Sequence, residues 1–129
     1  MGNKEKGSAA ERELLHMLWR EGFACVRVAG SGSTTELSCD LIAGKKTRKY
    51  AIECKTCKES KRYLNSEQIQ ELLKFSEILG LSPIVAVKFN HKGWWFIEPE
   101  KLENTGKGLA ISAEDISEKG ISFENFVLK

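Results

Sequence analysis

The first apolar pattern in the chain is helical. One face collects residues spaced three and four apart, namely Leu14, Leu15, Leu18 and Trp19. Ser8 and Glu11 have the spacing of a capping box, which marks a helix start, and Gly22 is placed to end the helix. We therefore expect a first helix from about Ser8, with Glu11 continuing its apolar face, after a flexible basic segment of residues 1–7.

The pattern then changes to that of strands. An apolar-rich run predicts a strand at residues 23–29, and a flexible loop rich in Gly, Ser and Thr follows at residues 30–35. Residues 40–43 and 50–57 predict two strands of an antiparallel hairpin, with a turn at residues 44–49.

A second helical pattern follows a basic loop at residues 58–65. Asn65 or Ser66 can cap this helix, and Gly80 is expected to end it. Its predicted apolar face consists of Ile69, Leu72, Leu73 and Ile78.

The last third of the chain predicts a second hairpin and a less regular tail. Residues 84–89 and 94–97 are the two strands of the hairpin, and residues 113–117 and 122–128 can each form a short helix. Helices and strands together indicate one domain, residues 1–129, with mixed α and β elements.

The length is enough for one core. A chain of 129 residues buries roughly two thirds of the surface that it exposes when unfolded. It can therefore form one compact core without disulfides or a structural metal. No apolar run approaches the roughly 20 residues of a membrane helix. The start of the chain also lacks the apolar stretch of a signal peptide. We expect a cytoplasmic protein with no membrane partner.

Charge is distributed unevenly along the chain. Residues 1–65 hold 13 Lys and Arg against 8 Asp and Glu, whereas residues 66–129 hold 7 against 10. All five arginines, at positions 12, 20, 27, 48 and 62, lie in the first half. This pattern favours a polyanionic partner, although charges that merely coat a soluble surface explain the composition equally well.

The four cysteines are Cys25, Cys39, Cys54 and Cys57, and the last two have the spacing of half a zinc site or of a redox pair. No second pair has this spacing, and neither histidine stands at ligand spacing. Cys25 and Cys54 fall within apolar strands, so we interpret them as small core residues. A disulfide stays open if the source is a hyperthermophile.

The first hairpin brings two carboxylates together. If Ala43 pairs with Tyr50, antiparallel register places Asp40 opposite Glu53. Opposed side chains lie about 4.5 to 5.5 Å apart at Cβ, where like charges destabilise a sheet. A divalent cation relieves this repulsion, because Mg²⁺ accepts one or two protein carboxylates and keeps other positions for water and phosphate.

Lys55 completes the cluster. It lies two residues beyond Glu53 and so on the same face of the strand, while Ile52 and Cys54 point to an apolar layer. In a phosphodiester hydrolase, the cation activates water and neutralises phosphate charge, and an ammonium group orients that water or stabilises the transition state.

Simpler explanations exist for each residue. Glu53 and Lys55 alone are more often a solvated ion pair on a half-exposed strand, and Glu11 alone is more often part of a capping box. The conjunction of Asp40, Glu53 and Lys55 with Glu11 favours a metal site.

Asp40, Glu53 and Lys55, with the spacing D-x12-E-x-K, resemble the motif of the PD-(D/E)xK nuclease superfamily. More narrowly, four segments resemble the archaeal Holliday junction resolvases in order and spacing: residues 6–13, residues 22–23 with 26–27, residues 31–33 and residues 40–43. The resemblance covers about residues 6–97. It implies a restriction-endonuclease-like α/β fold, with a central mixed sheet of about five strands flanked by helices. Cys39 stands where the superfamily name has a proline; this weakens the generic motif but removes no ligand.

The resemblance also implies the site. The active-site residues are Glu11, Asp40, Glu53 and Lys55, with Mg²⁺, or Mn²⁺ as a substitute, held by the three carboxylates and the Cys54 carbonyl. A loop serine near the cleaved strand corresponds to Ser31, with Ser33 as second choice, and Gln68 stands where related nucleases carry a supporting glutamine. No small-molecule cofactor is expected.

Phosphate contacts are expected from the basic residues around this site, although a solvated basic loop is almost as good an explanation. The candidates are Arg12, Arg27, Ser33, Lys45, Lys46, Arg48, Lys58, Lys61, Arg62 and Gln68, with Tyr63 beside them.

A four-way junction is resolved by two cuts, whereas the chain encodes one site, so we expect branched DNA as partner and a two-fold homodimer. Trp94, Trp95, Phe123 and Phe126 are surplus apolar groups that can form the contact or can be buried within the monomer. Two rival functions stay open at this stage: a nickase or repair nuclease acting on duplex DNA, and a non-catalytic architectural DNA-binding subunit.

Overall fold

The computed structural model describes residues 3–30 and 35–129, and the side chains from residue 7 onward within these ranges. The helices are α1 (Asn3–Arg20), α2 (Ser66–Leu79), α3 (Ile116–Lys119) and α4 (Phe123–Leu128), with a 3-10 turn at Pro99–Lys101. The strands are β1 (Ala24–Arg27), β2 (Leu41–Lys45), β3 (Arg48–Cys57), β4 (Lys61–Leu64), β5 (Ser82–Phe89), β6 (Gly93–Ile97), β7 (Glu103–Asn104), β8 (Leu109–Ser112) and β9 (Ile121–Ser122).

A mixed six-stranded sheet is the centre of the fold. Its strand order is β1-β2-β3-β5-β6-β9, and only the β3–β5 pair in this sheet is parallel. The parallel pair is joined through α2, as a parallel connection requires a crossover. The expected α/β fold with a central mixed sheet is confirmed, and the sheet has six strands where about five were expected.

Both hairpins were predicted, with shorter strands than those observed. β2 and β3 extend to Lys45 and Arg48, so only two residues form the turn that was predicted at 44–49. Lys46 in this turn has a φ of 57°, the left-handed conformation that two-residue hairpin turns use.

The sheet is covered on both faces. α1 and α4 pack on one face, where Leu14, Leu18, Ile52 and Phe96 are buried together. α2 packs on the other, where its Leu72 is buried against Val85. A strand with helices on both sides is buried throughout, which explains why the central residues of β3 and β5 form nearly continuous apolar runs.

A second sheet of three strands, in the order β4-β8-β7, was not predicted. β4 falls inside the segment 58–65 that we expected to be a basic loop, so that prediction is wrong for Lys61–Leu64. Its partner β8 is more than 40 residues away in the sequence. A four-residue strand with such a distant partner leaves little local signal, because cross-strand packing decides whether it forms.

The start of α1 also differs from the prediction. The helix begins at Asn3 and not at Ser8, so residues 3–7 belong to it, and the capping box is not used. Ser8 lies inside the helix, and its Oγ accepts a hydrogen bond from Arg27 Nη2 at 2.9 Å. The tertiary contact with β1 replaces the local cap.

The ends of α2 agree with the sequence. The Asn65 side chain accepts a hydrogen bond from Gln68 N, and Gly80 ends the helix with a φ of 76°. One position of the predicted apolar face is wrong: Ile78 is 70 % exposed, and Ser76 is buried in its place. The Ser76 hydroxyl donates to Leu72 O, which makes a polar side chain tolerable in the core.

An aromatic cluster closes one end of the sheet. The Phe126 ring stacks on Phe96, with centroids 3.9 Å apart, and lies beside Phe23 and Tyr50. Arg48 lies over the Phe126 ring at 5.0 Å and donates to the carbonyl oxygens of Phe126 and Lys129. This cluster anchors α4 to the sheet.

All four cysteines are free thiols, and Cys25, Cys39 and Cys57 are buried. The core assignment of Cys25 is confirmed, and burial raises the pKa of its thiol to about 11. Among the helices in the described ranges, none is long and apolar enough to cross a membrane.

Replacement of Gly120 by Ala is expected to destabilise the protein. The added methyl would lie 2.7 Å from the carbonyl oxygen of Phe96 and 2.8 Å from Ile116 Cδ1, and overpacking of this kind costs about 1–3 kcal/mol. Gly7→Ala is the contrasting variant, because nothing lies within 4 Å of the added atom in α1, and it should stabilise by about 0.5–1 kcal/mol. Chemical denaturation measures both. Equal stability of the two variants would contradict the packing described around β9.

Candidate active site

The β2–β3 hairpin carries the central acidic pair. The observed register pairs Leu41 with Ile52 and Ala43 with Tyr50, as predicted. Asp40 lies directly before β2, and its N–H donates to Ile52 O at 3.0 Å. The carboxyl groups of Asp40 and Glu53 are close enough to share a hydrogen bond. The two carboxylates therefore meet, as the sequence indicated.

Glu53 is buried, with 5 % of the residue exposed. Burial, followed by the nearby Asp40 charge, raises the pKa of Glu53 to about 7, while Lys55 acts in the opposite direction. A solvated surface ion pair, the simpler reading of Glu53 and Lys55, requires exposed side chains, and these are not exposed. An acid buried beside another acid is a high-energy arrangement that a cation relieves.

Lys55 is held from two sides. Its Nζ lies 3.4 Å from Glu53 Oε2 and donates to Gln68 Oε1 at 2.8 Å. Gln68 is in the first turn of α2, where the Asn65 cap fixes the backbone. The expected supporting glutamine thus contacts the lysine directly.

Cys54 contributes backbone groups. Its N–H donates to Asp40 Oδ2 at 2.8 Å and so orients that carboxylate. Because the N–H and C=O of a strand residue point towards the same neighbouring strand, the Cys54 carbonyl also points to the Asp40 side of β3. The Cys54 thiol belongs to the apolar layer on α1, and burial raises its pKa well above the ordinary value.

Glu11 stands beside this pair but has its own partner. Its Oε1 accepts a hydrogen bond from Arg27 Nε at 2.9 Å, and Arg27 also reaches Ser8. Burial and then the charge of Asp40 raise the pKa of Glu11. The charge of Asp40 acts on the pKa of both Glu11 and Glu53, so the three carboxyl groups lie within electrostatic reach of one another. Ser8 was missed as part of this network, because the capping-box pattern gave it another role.

The donor set suits a hard divalent cation. In the described part of the chain, no three His, Cys, Asp or Glu side chains are close enough together to hold a metal alone. Two acidic side chains with a backbone carbonyl match Mg²⁺, which usually keeps several waters and substrate oxygens as ligands. Burial of Glu53, followed by repulsion from Asp40, raises the pKa of this carboxyl, and this unfavourable environment for a carboxylate supports a cation here.

A cleft of about 580 Å³ opens over Lys55. The first turns of α1 form one wall with Gly7 and Ala10, and the segment from Cys54 to Arg62 forms the other. Small residues at Gly7 and Ala10 leave room for a ligand between the helix and the strands. The cleft thus gives access to Lys55 at one side of the acidic pair.

The predicted phosphate-contact residues divide into groups. Lys58 and Arg62 line the cleft, whereas Lys61 pairs with Glu103 at 3.5 Å. Arg12 is exposed on α1 beside Glu11. Tyr63 is exposed with Lys61 over its ring.

The hairpin turn lies at the opposite end of β2 and β3 from the acidic pair. Lys45 Nζ donates to Glu21 O there, and Arg48 anchors α4. The structure does not bring Lys45, Lys46 or Arg48 together with the cleft, and their contact with DNA stays a prediction. Ser31 and Ser33 lie outside the described residues.

Comparisons with known proteins give one consistent result. The family model for archaeal Holliday junction resolvase (hjc) matches residues 2–129. The crossover junction endodeoxyribonuclease Hjc of Methanocaldococcus jannaschii is 46 % identical over 106 residues, which are 82 % of this chain and 75 % of that protein. The Hjc of Archaeoglobus fulgidus is 40 % identical over 108 residues, 84 % of this chain and 79 % of that protein.

A solved structure agrees with these sequence matches. The Archaeoglobus fulgidus Hjc structure, described as a Holliday junction resolvase from an archaeal hyperthermophile, superposes with a TM-score of 0.84 at 36 % identity. The match covers 92 % of this chain and 94 % of that one.

The raised pKa of Glu53 predicts a pH dependence of stability in the metal-free protein. The folded state holds the proton up to about pH 7, whereas the unfolded state loses it near the ordinary value of 4.5. The contribution of Glu53 is therefore fully present below pH 4.5 and is lost as the pH rises to about 7. The side chain of the Glu53→Gln variant does not titrate, so its stability should not fall in this way. The variant should therefore become more stable relative to the parent as the pH rises from 4.5 to about 7.

Urea denaturation at several pH values in EDTA measures the difference between the two proteins. Glu118→Gln is the control, because Glu118 is exposed and its difference from the parent should stay flat. A flat difference for Glu53→Gln as well would show that its carboxyl is not strained by burial and by Asp40.

Proposed function

The chain belongs to the archaeal Holliday junction resolvase family, and on that premise we propose how its own residues cut DNA. The protein is a structure-specific endonuclease that resolves four-way junctions by paired, metal-dependent hydrolysis of phosphodiester bonds. The observation that carries this proposal is the meeting of Asp40, Glu53 and Lys55 beside an open cleft.

Asp40, Glu53 and the Cys54 carbonyl would hold the cation, Mg²⁺ or Mn²⁺, with Glu11 close by. Bound there, the cation supplies an activated water and neutralises charge on the phosphate. The Cys54 N–H keeps the Asp40 carboxylate oriented. A cation held there would favour the ionised form of Glu53, because its positive charge would replace the missing solvation.

Lys55 is the group that meets the substrate. Its ammonium lies between Glu53 and Gln68 and lines the cleft, so a phosphate entering from the cleft meets a positive charge already in position. An ammonium held in a partly buried place stabilises developing charge more than one free in water. Gln68 acts through Lys55 as a positioning residue.

Resolution of a junction requires two cuts on strands of equal polarity. One chain provides a single cluster of Asp40, Glu53 and Lys55, and therefore a single cutting site. A two-fold homodimer supplies the second site and matches the approximate two-fold symmetry of the junction. Of the four aromatic residues suggested from the sequence as contact residues, Trp94 and Phe126 are buried in the monomer, and Trp95 and Phe123 are half-buried. The exposed end of α2 is therefore the better surface.

Ile78 and Leu79 are 70 % and 54 % exposed at the end of α2, and the half-buried Phe75 is next to them. We assign this apolar patch to a second copy of the chain, because a two-fold axis through it would pair each patch with its equivalent. Burial of a Leu or Ile side chain is worth about 1.5–3 kcal/mol, so four such side chains make a substantial part of a dimer contact.

Replacement of Glu53 by Gln should abolish cutting without abolishing binding. The amide cannot supply the carboxylate charge, so single-turnover cleavage of an immobile four-way junction in Mg²⁺ should fall on the order of 100-fold or more. Junction affinity in EDTA should be retained or increase, because a negative charge near the DNA is removed. Glu77→Gln, an exposed acid on α2, is the matched control.

Substrate comparison separates the rival functions. The parent should bind the junction better than a linear duplex of equal length and cut it at two symmetry-related positions. Equal affinity for both would indicate a nickase or repair nuclease, and cutting by Glu53→Gln at the parent rate would place the chemistry elsewhere. Junction binding without any cutting by the parent would indicate an architectural subunit.

Leu79→Lys is expected to give a monomer, because two buried ammonium groups would face each other across the two-fold axis. Sedimentation should show the parent as a dimer and the variant as a monomer at micromolar concentration. The variant should lose paired incision of a cruciform plasmid. Leu128→Lys, at a leucine that is 80 % exposed on α4, controls for the added charge. A dimeric Leu79→Lys protein would exclude this surface.

A further inference from the structure

One arginine in the catalytic cleft is left with a buried donor and no acceptor. Among the described residues, Arg62 Nε is the buried side-chain donor without a hydrogen-bond partner. Of the guanidinium nitrogens, Nη1 donates weakly, at 3.2 Å, to Tyr63 O. Because a buried donor without an acceptor costs free energy, this arrangement suggests a ligand that supplies the acceptor.

The position of Arg62 follows from β4. This strand pairs with β8, and Arg62 is opposite Ile111. Side chains alternate along a strand, so Lys61 and Tyr63 share the other face, where Lys61 lies over the Tyr63 ring and pairs with Glu103. Of the two cationic side chains on β4, Arg62 therefore lines the cleft, whereas Lys61 does not.

The charges around the cleft favour an anion. Lys55, Lys58 and Arg62 line it together with one carboxylate, that of Glu59. No ion pair within 4.0 Å joins Arg62 to an acid among the side chains that the structure describes, those of residues 7–30 and 35–129. Lys55 belongs to the catalytic cluster, so the same cleft joins the cutting site to Arg62.

We propose that Arg62 binds a second phosphate of the strand being cut, next to the phosphate at Lys55. The proposal rests on the endonuclease function given above and adds a defined backbone position to it. A guanidinium group is planar and presents paired donors that fit two phosphate oxygens. The phosphate would accept a hydrogen bond from Nε, and the strand would then be held at two points, Lys55 and Arg62.

This role differs from that of a general basic loop. A solvated arginine contributes to attraction of DNA at any position, whereas Arg62 in the cleft contacts one linkage at a fixed distance from the cut. The contact sets the register of the strand, so the catalytic cluster meets the correct phosphodiester. Arg62 is then a binding residue for the substrate backbone.

Arg62→Gln tests the proposal, with Lys101→Gln, an exposed lysine outside the cleft, as the control of equal charge. The substrates are a series of four-way junctions, each of which has one uncharged methylphosphonate at a different linkage near the incision. In EDTA, one position beside the cut should weaken parent binding roughly ten- to hundredfold. Arg62→Gln should bind the unmodified junction weaker by the same factor and lose sensitivity at that position.

Two further readouts separate this contact from a structural role. The slope of log K against log salt concentration should become shallower by about one unit in Arg62→Gln. Its thermal midpoint should equal or exceed that of the parent, because an unsatisfied donor is removed. A lower midpoint with unchanged sensitivity at every methylphosphonate position would assign Arg62 to the fold and overturn the proposal.

The parent protein alone gives another decisive result. If no linkage beside the incision is sensitive to methylphosphonate, the second phosphate site does not exist, whatever the variant does. The junction function fails separately, through absence of paired cutting or of preference for the junction. A parent that resolves junctions, with an Arg62→Gln variant that behaves like it throughout, would overturn this inference and leave the function standing.

Discussion

A buried carboxylate held against a half-buried one is the constraint around which this site is built. The β2–β3 register brings Asp40 opposite Glu53, and the burial of Glu53 reduces the screening of their repulsion by water. The fold tolerates the pair because Cys54 N–H and Lys55 each offset part of the cost. The remaining imbalance is the physical basis of the proposed cation site, since a fully neutralised cluster would gain little from a cation.

Two arginines near opposite ends of β3 have different surroundings. At one end, Arg48 stacks among aromatic rings and caps the last helix, an arrangement in which every guanidinium nitrogen has a partner. Near the other end of β3, Arg62 on β4 of the small sheet has a buried donor for which no described residue supplies an acceptor. The two arginines look equivalent in the sequence, and only the satisfaction of their donors distinguishes a structural residue from one that awaits a ligand.

Local patterns predicted the parts of the site that lie on neighbouring strands. The Asp40–Glu53 pairing followed from one hairpin, and the Lys55 face followed from strand alternation, so both needed only short-range reasoning. β4, with its partner β8 far along the chain, gave no such signal. Tertiary contacts also overrode local ones at Ser8, which bonds to Arg27 instead of capping α1, and at Ile78, which faces outward.

Those nonlocal elements shape the cleft beside the acidic pair and Lys55. α1 precedes the β2–β3 hairpin in the sequence and Arg62 of β4 follows it, and both contribute to the walls of this cleft. In the proposed function, the acidic pair, Lys55 and a bound cation would supply the chemistry, so selection of the substrate would depend on these walls. The residues proposed for the chemistry lie close together in the sequence, so a short motif identifies them. The residues that would contact the DNA backbone are far apart in the sequence, so only the folded cleft shows where that backbone can lie.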